Sequence, residues 1–594
     1  MAYRLCDGLT ELVIYGAIVF GPWAFGTTQP WAVRVMNYTT YSLGALLLFK
    51  WIIRWLTGYQ PARWSAMPAG EDNPSSFDSG IDPQRRVGPA CRTSLGAGRG
   101  PGLQTDAGLA PSLLAGGRQT PHGQIDDPEP AESRSDPPPT GASWPTRVLA
   151  VLTVLILGYC LVSVLNARAN YLPFELRFDY FDNYIPWLPH SYDRDAGWFA
   201  FWQYLGLACL FWASRDWLLG QSRRERRSRR SEDRESRVDG SKGIEGGGAE
   251  ELLRLASKGS PVSPGRPPDP TSGRMPHLIP ARLQRMLWIL CLNGTVLGVE
   301  SIVQRLSKTD KLLWHVRPRF NTRCLGQFGP YAYRSNAAQY FNLVWPVSLG
   351  LWWALRRSHY SNPRARPLRG GGAHVLALPC TMLMAACPAI SSSRGGALVS
   401  GAGILAAVGI LYMAEGRSRH RIRLPLMATL AVVSGLIFWL GWTQLQPRLE
   451  QISSGPGTMS GRTIIYENAR QMARDYPLYG TGPGSFAHLY QLYQPGMGKW
   501  WAAQVHDDWL ETRITFGWVG FGMILVALIM VPMHLWRGSG TPVPWPFAAL
   551  LGVSLGGCLL HARFDFPLQI HSILALFLLL CSVALSIRTA KATG

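Results

Sequence analysis

Residues 461–520 read GRTIIYENARQMARDYPLYGTGPGSFAHLYQLYQPGMGKWWAAQVHDDWLETRITFGWVG, and most residues able to do chemistry are gathered there. His506 stands directly before Asp507 and Asp508, with Glu511 a turn further on. A histidine titrating near neutrality beside carboxylates suits a general base acting on a hydroxyl nucleophile. Asp507, Asp508 and Glu511 are placed to orient the imidazole, and Asp508 is the acid expected to matter most. The alternative is a structural histidine at a helix start, with the acids serving as N-terminal caps. His488 lies beyond the glycine turn, has no acid near it in sequence, and is set aside.

The second set is cationic. Ser460 suits an N-cap, and Ile465, Ala469 and Met472 at i, i+4 and i+7 make one apolar helical face. Arg462 then falls in the first turn, where free backbone N–H groups and the helix dipole favour an anion, and its fork matches a pair of phosphate oxygens. Arg470 follows on the same helix. Arg394 stands in the small-residue turn SSSRGG at 391–396, and Arg334 closes a basic loop holding Lys308, Lys311, Arg317, Arg319 and Arg323. Arg394 and Arg462 are expected to meet an anion; the alternative is that they are snorkelling or solvated side chains. Gly480, Gly482 and Gly484 after Pro477 read as a tight turn. No strand precedes them and no Walker lysine follows, as a nucleotide loop would require. One histidine with nearby acids lacks a second histidine at i+4, and no other loop has ligand spacing, so neither a metal nor another cofactor is expected.

These residues must be positioned by apolar helices. The chain has 594 residues, 47% of them hydrophobic, and 24 Trp. Its mean hydropathy is only +0.03 because two polar inserts dilute the apolar runs. Runs of span length predict an all-α polytopic membrane protein of about 12 transmembrane helices, with a large outward-facing loop holding short helices. They lie near 9–25, 36–55, 148–165, 198–219, 286–303, 337–355, 374–390, 397–413, 424–442, 517–535, 546–561 and 568–587. The runs at 374–390 and 546–561 are short, so the count ranges from ten to twelve. Asp7 and Glu11 flank the first run, no small-x-small site closes it and a second span follows, so it reads as a retained helix rather than a cleaved signal.

The expected organisation is helices 1–2 over 1–56, an insert over 57–145, helices 3–4 over 146–220 and a second insert over 221–280. Helices 5–9 then occupy 281–442, a catalytic loop 443–516 and helices 10–12 517–594. The inserts are loaded with Pro, Gly, Ser, Asp and Arg and are expected to be disordered. Arginine clusters at 223–230, 356–369 and 417–423 fall on one side if every span crosses. That side is taken as cytoplasmic, which turns 443–516 outward. The net charge of +21 largely follows from this arrangement. Nucleic acid is not an expected partner, since the RRERRSRR cluster adjoins a span and lacks interleaved aromatics. The ten cysteines show no metal or disulfide spacing, and Cys380 and Cys387 read as small core residues.

The ordered set SSSRGG, Gly461–Arg462, PLYGTGPGSF at 477–486 and HDDWLETRITFGWVG at 506–520 resembles the O-antigen ligase and polymerase superfamily, including protein O-oligosaccharyltransferases. GPYAYRSNAAQYFNLVWPVSLGL at 329–351 and DFPLQIHSILALF at 565–577 fit the same pattern. The chain departs from it in carrying His506-Asp507-Asp508 where His-Asn-Asp is common, and Tyr333-Arg334-Ser335-Asn336 where a sequence closer to N-x-N-H is usual.

The resemblance implies a GT-C-type glycosyltransferase of the inner membrane with its site facing the periplasm. Its donor would be a polyprenyl-diphosphate-linked glycan, its acceptor a lipid, saccharide or protein hydroxyl, and its surroundings membrane lipids. It implies catalysis by His506 and Asp508, substrate binding by Arg394, Arg462, Arg470, Arg334 and Asn336, inversion, and no metal. A transporter or flippase of lipid-linked sugars is the rival reading. It should place ionisable residues at mid-membrane, where Glu300 is the clearest candidate. A structural scaffold would have no need of the arginines and histidine of the loop.

Overall fold

The computed structural model describes residues 2–59, 61, 144–222, 225, 278–319, 321–360, 372–415, 459–494, 502–537 and 541–589. Nearly all of both polar inserts, the expected span at 424–442, the start of the long loop and the arginine clusters at 223–230, 364–369 and 417–423 lie outside these residues. The helices are α1 (Ala2–Trp23), α2 (Pro30–Thr57), α3 (Trp144–Leu165), α4 (Arg194–Leu218), α5 (Ala281–Leu306), α6 (Arg334–Tyr360) and α7 (His374–Ile390). They continue with α8 (Arg394–Ala414), α9 (Met459–Asp475), the single turn α10 (Phe486–Leu489), α11 (Asp508–Arg537), α12 (Trp545–His561) and α13 (His571–Ala584). Two small sheets accompany them: β1 (Ala169–Leu172) pairs antiparallel with β2 (Arg177–Tyr180), and β3 (Thr541–Val543) pairs parallel with β4 (Ile587–Thr589).

Every expected span within the described residues coincides with a helix. Among the described residues five helices are long and apolar enough to cross a membrane: α1, α3, α5, α8 and α11 through Leu535; α7, α12 and α13 are apolar but shorter. The helices α2, α4 and α6 carry more polar and charged residues, and the twelfth expected span, 424–442, lies outside the described residues. Large apolar side chains face outward from several helices, among them Val154, Leu398 and Leu405, the last 75% exposed. An exposed apolar stripe is costly in water and favourable against lipid tails.

The two ends of the bundle are held differently. At one end Lys50, fully buried, lies 3.5 Å from Asp7 and 2.9 Å from Asp216. Arg54 also binds Asp216, and Arg282 binds Asp7. Removing one member of such a network leaves an uncompensated buried charge, at about 3–5 kcal/mol. At the other end, where α8 begins and α12 ends, arginines bind backbone oxygens instead. Arg305 donates to the Gln327 and Ser391 carbonyls, and Arg334 to the Leu325 carbonyl.

Helix α11 is broken near its start at Gly517, whose φ of 60° lies in the left-handed region. The break frees backbone groups that a membrane helix must satisfy, and the chain after α9 supplies the partners. The Trp518 and Val519 N–H groups donate to the Pro477 and Leu478 carbonyls, and the Ile514 and Thr515 carbonyls accept from Thr481 and Gly482. The approach is so close that a Cβ on Gly480 would lie 2.4 Å from the Ile514 oxygen. The Gly-x-Gly-x-Gly stretch is therefore a turn that seals a broken helix. From α3, the Tyr159 hydroxyl closes the same break, donating to the Tyr479 and Phe516 carbonyls.

Candidate functional site

Helix α9 is amphipathic as its spacing predicts: Ala469 and Met472 are fully buried against Tyr192, Phe486 and Ile514, with Ile465 packed beside them. Ser460 lies inside the helix, which already includes Met459, so it is not the N-cap. Arg462, in the first described turn, donates to the Phe564 carbonyl (3.2 Å) and to the Tyr333 hydroxyl (3.4 Å). One turn further along, the Tyr466 hydroxyl donates to the His506 carbonyl (3.0 Å).

His506 ends the connection into α11 with φ at 62°, a conformation costly for a residue with a Cβ. The acids beside it have other work. Asp507 caps α11 by accepting from the Leu510 N–H and pairs with Arg563. Burial raises the Asp507 carboxyl above its ordinary range, with the N–H donors and Arg563 pulling the other way. Glu511 accepts from the Val505 N–H. Asp508, expected to be the catalytic acid, is 2% exposed and accepts from the Leu568 N–H while its own N–H donates to Ala562.

The carboxylate on the imidazole is Asp565, 59 positions away, with Oδ1 3.0 Å from His506 Nδ1. Tyr333 donates to its Oδ2 at 3.2 Å. Burial alone would push the Asp565 carboxyl up, but the hydrogen bond and charge of His506, with His561 nearby, hold it below the usual carboxylate range. Burial and the Asp565 charge push the Tyr333 phenol up, so it remains a neutral donor. A carboxylate only accepts, so Nδ1 carries a proton, and in the neutral imidazole the lone pair is on Nε2. Nε2 makes no hydrogen bond among the described residues. The ring is walled by Phe566, edge-on at 4.8 Å, and by Tyr333 at 6.1 Å, which itself stacks on Phe566 at 5.2 Å.

Arg394 opens α8, where Ser393 is the N-cap, its Oγ accepting from the Gly396 N–H. Ser393 also reaches Ser335 (3.2 Å), which in turn meets His561 Nε2 (3.2 Å); His561 Nδ1 is fixed by Gln339 at 2.7 Å. Gly396 lets α8 pack onto α6, since a Cβ there would sit 2.4 Å from the Ala338 Cβ. Ser393, next to Arg394, and Arg462 thus both reach the segment 333–335. Arg334 lies within it and donates to the Leu325 carbonyl, and the Asn336 Oδ1 is buried without a partner among the described residues. Arg470 is not in this group: it lines a separate cleft with Asp507, Arg513 and Arg563.

His488 corrects the sequence reading. It has a carboxylate after all, its Nδ1 touching Asp193 from the start of α4, 295 positions away, while its ring stacks on Tyr171 at 4.4 Å. Asp565, Tyr333 and His561 are site residues that the sequence reading misses. Asp565 is the only acid in the 562–570 connection, and Tyr333 opens the YRSN segment; both signals are there to use. Among the described residues no group of three or more His, Cys, Asp or Glu could hold a metal.

Residues 379–525 match the family model of O-antigen ligases, from α7 through the first half of α11. No curated protein matches the chain. The match likens this stretch to O-antigen ligases, and together with the apolar helices it supports a multi-pass membrane protein.

Proposed function

We propose that this chain is an inverting glycosyltransferase of the GT-C type in the inner membrane, with its active site facing the periplasm. It moves a glycan from a polyprenyl-diphosphate donor to an acceptor hydroxyl. The observation that carries this reading is His506, held through Nδ1 by a buried aspartate and beside an arginine that binds uncharged oxygens. Arg462 has its hydrogen bonds partly met by Tyr333 and Phe564, yet among the described residues no carboxylate neutralises its charge. That leaves it receptive to a diphosphate, and Arg394 at the α8 N-terminus adjoins Ser393, which reaches the same segment.

In the reaction the acceptor hydroxyl attacks the anomeric carbon and gives its proton to His506 Nε2. The bond from that carbon to the diphosphate oxygen breaks, and polyprenyl diphosphate leaves with the electron pair. Asp565 keeps the required tautomer and stabilises the imidazolium. Arg462 and Arg394 meet the charge gathering on the leaving group, the role a divalent cation has in many transferases. Tyr333 ties the two halves together, since one hydroxyl touches both Asp565 and Arg462.

The test is transfer by the purified full-length protein from a polyprenyl-diphosphate-linked glycan, with and without EDTA. Transfer is expected to persist in EDTA. Arg462→Ala should lose about 10² to 10³ in rate, as for removal of one charge-stabilising donor. Arg462→Lys should lose less, keeping the charge but not the fork. A donor that is bound but never consumed would overturn the enzyme reading, and loss of transfer in EDTA would overturn metal independence.

A further inference from the structure

The separate cleft is reached through Asp507, the residue after His506; it is about 330 Å³ in volume and lined by Arg470, Arg513, Arg563, Asp507, Trp509 and Trp518 among others. Three guanidinium groups there face a single carboxylate. Arg563 takes that carboxylate as its ion-pair partner. The Arg513 guanidinium lies over Trp518, 4.0 Å from the ring centre; its Nη2 donates to the Ala473 carbonyl and its Nη1 is buried without a hydrogen-bond partner among the described residues. Arg470 is exposed and makes no ion pair among the described residues. The cleft therefore holds cationic donors in excess, one of them held over an indole of the kind that packs against a sugar face.

Its position relative to the dyad is set by α9. Arg462, Tyr466 and Arg470 recur every four residues and share one face of the helix. At 1.5 Å per residue, Arg462 and Arg470 are about 12 Å apart along the axis. Tyr466 lies between them, on the His506 carbonyl. In sequence the division falls between neighbours: His506 turns to Asp565, while Asp507 turns to Arg563 and the cleft. Two anion-receptive places thus flank one imidazole at a separation that a short oligosaccharide bridges.

We propose that the Arg470–Arg513–Arg563 cleft is the acceptor subsite and that it recognises a phosphate monoester on the acceptor glycan, near the hydroxyl that is glycosylated. This rests on the transfer reading above and extends it to the second substrate. An inverting displacement brings nucleophile and leaving group to opposite faces of the anomeric carbon. With the diphosphate at Arg462, the acceptor needs a second place, and the cleft beside Asp507 supplies one. A phosphate there is gripped by the arginine forks while an indole supports the ring that carries it.

The experiment uses the full-length protein in lipid nanodiscs and saturation-transfer NMR with glucose 6-phosphate and with glucose. Glucose 6-phosphate is expected to bind and glucose not. Binding should be lost in Arg470→Glu, weakened in Arg513→Lys, kept in Arg462→Ala and undisturbed by added polyprenyl diphosphate. Binding that survives Arg470→Glu, equal binding of glucose, or no binding would overturn the proposal. Loss in Arg462→Ala, or displacement by polyprenyl diphosphate, would assign the phosphate to the donor site and overturn it equally. Because no turnover is involved, the two readings fail separately. Binding that follows Arg470 in a protein that transfers nothing would sink the enzyme and leave the cleft, and the reverse result would do the opposite.

Discussion

His506–Asp565 and His488–Asp193 are both imidazole–carboxylate contacts through Nδ1, each made by residues distant in the chain. Their surroundings differ. Asp193 is committed to the fold: it caps α4 by accepting from the Ala196 N–H at 3.1 Å, and its histidine lies flat on Tyr171. Asp565 instead gathers side chains from three other elements, taking His506 at Oδ1 and Tyr333 at Oδ2, with Arg462 behind the tyrosine. His506 also holds a strained backbone angle, whereas His488 sits in an ordinary helical turn. A His–Asp contact is thus no signature of chemistry by itself. What separates the two is the arginine beside His506, which makes no ion pair among the described residues.

The largest effect expected is on His506. His506→Ala should lose about 10² to 10⁴ in transfer rate, the usual contribution of a general base. His506→Asn keeps a hydrogen-bonding side chain but no proton acceptor of suitable basicity, so it should behave almost like alanine. Donor binding should survive in both, measured with polyprenyl diphosphate in nanodiscs. Near-normal transfer by either variant would erase the distinction between the pairs and make His506 structural.

Asp565→Asn should cost less, about 10- to 10²-fold, because the base remains while its tautomer and charge support are weakened. The same variant gives a pH signature. The folded protein holds the Asp565 carboxyl below its ordinary range, so its ionisation stabilises the fold above the unfolded-chain value of about 3.9. That contribution is lost as pH falls through the lower folded value. The Tm difference between wild type and Asp565→Asn is therefore expected to be widest near neutrality and to close below about pH 4. A difference that stays constant across that range would place the role of Asp565 in packing rather than charge.

The helices are legible in the sequence because apolar runs of span length are a strong and local signal. Helix α9 is legible for the same reason: Ile465, Ala469 and Met472 declare their face by spacing alone. The break at Gly517 is not legible, since apolar residues continue through it and its partners come from the incoming 477–482 chain and from Tyr159. The acids follow a similar rule. Nearness in sequence points to Asp507, Asp508 and Glu511 as partners of His506. Nearness is what a helix start uses, so Asp507 and Glu511 are claimed by the local Leu510 and Val505 N–H groups, while Arg563 and the distant Leu568 N–H take Asp507 and Asp508. The imidazole draws its partner from the connection between α12 and α13, and no spacing rule reaches across the two helices α11 and α12 that separate them.

The smallest effect on transfer should come from His488→Ala, and it sharpens the comparison most. His488 is the more exposed imidazole, at 37%, and its carboxylate is already engaged by the α4 N–H. Removing it should leave transfer within about twofold of wild type while lowering Tm, a loss of about 1 kcal/mol for a buried acceptor deprived of one partner. Asp193→Ala should cost more stability than His488→Ala, because it removes both the imidazole bond and the helix cap. The pair of variants thus has an order that a catalytic role would not produce: activity nearly level, and stability lower when the cap goes with the imidazole bond than when that bond goes alone. If His488→Ala instead cut transfer by about a hundredfold, the loss typical of a general base, with Tm unchanged, the uncompensated arginine would not be what distinguishes the reactive pair, and both imidazoles would have to be placed against substrate.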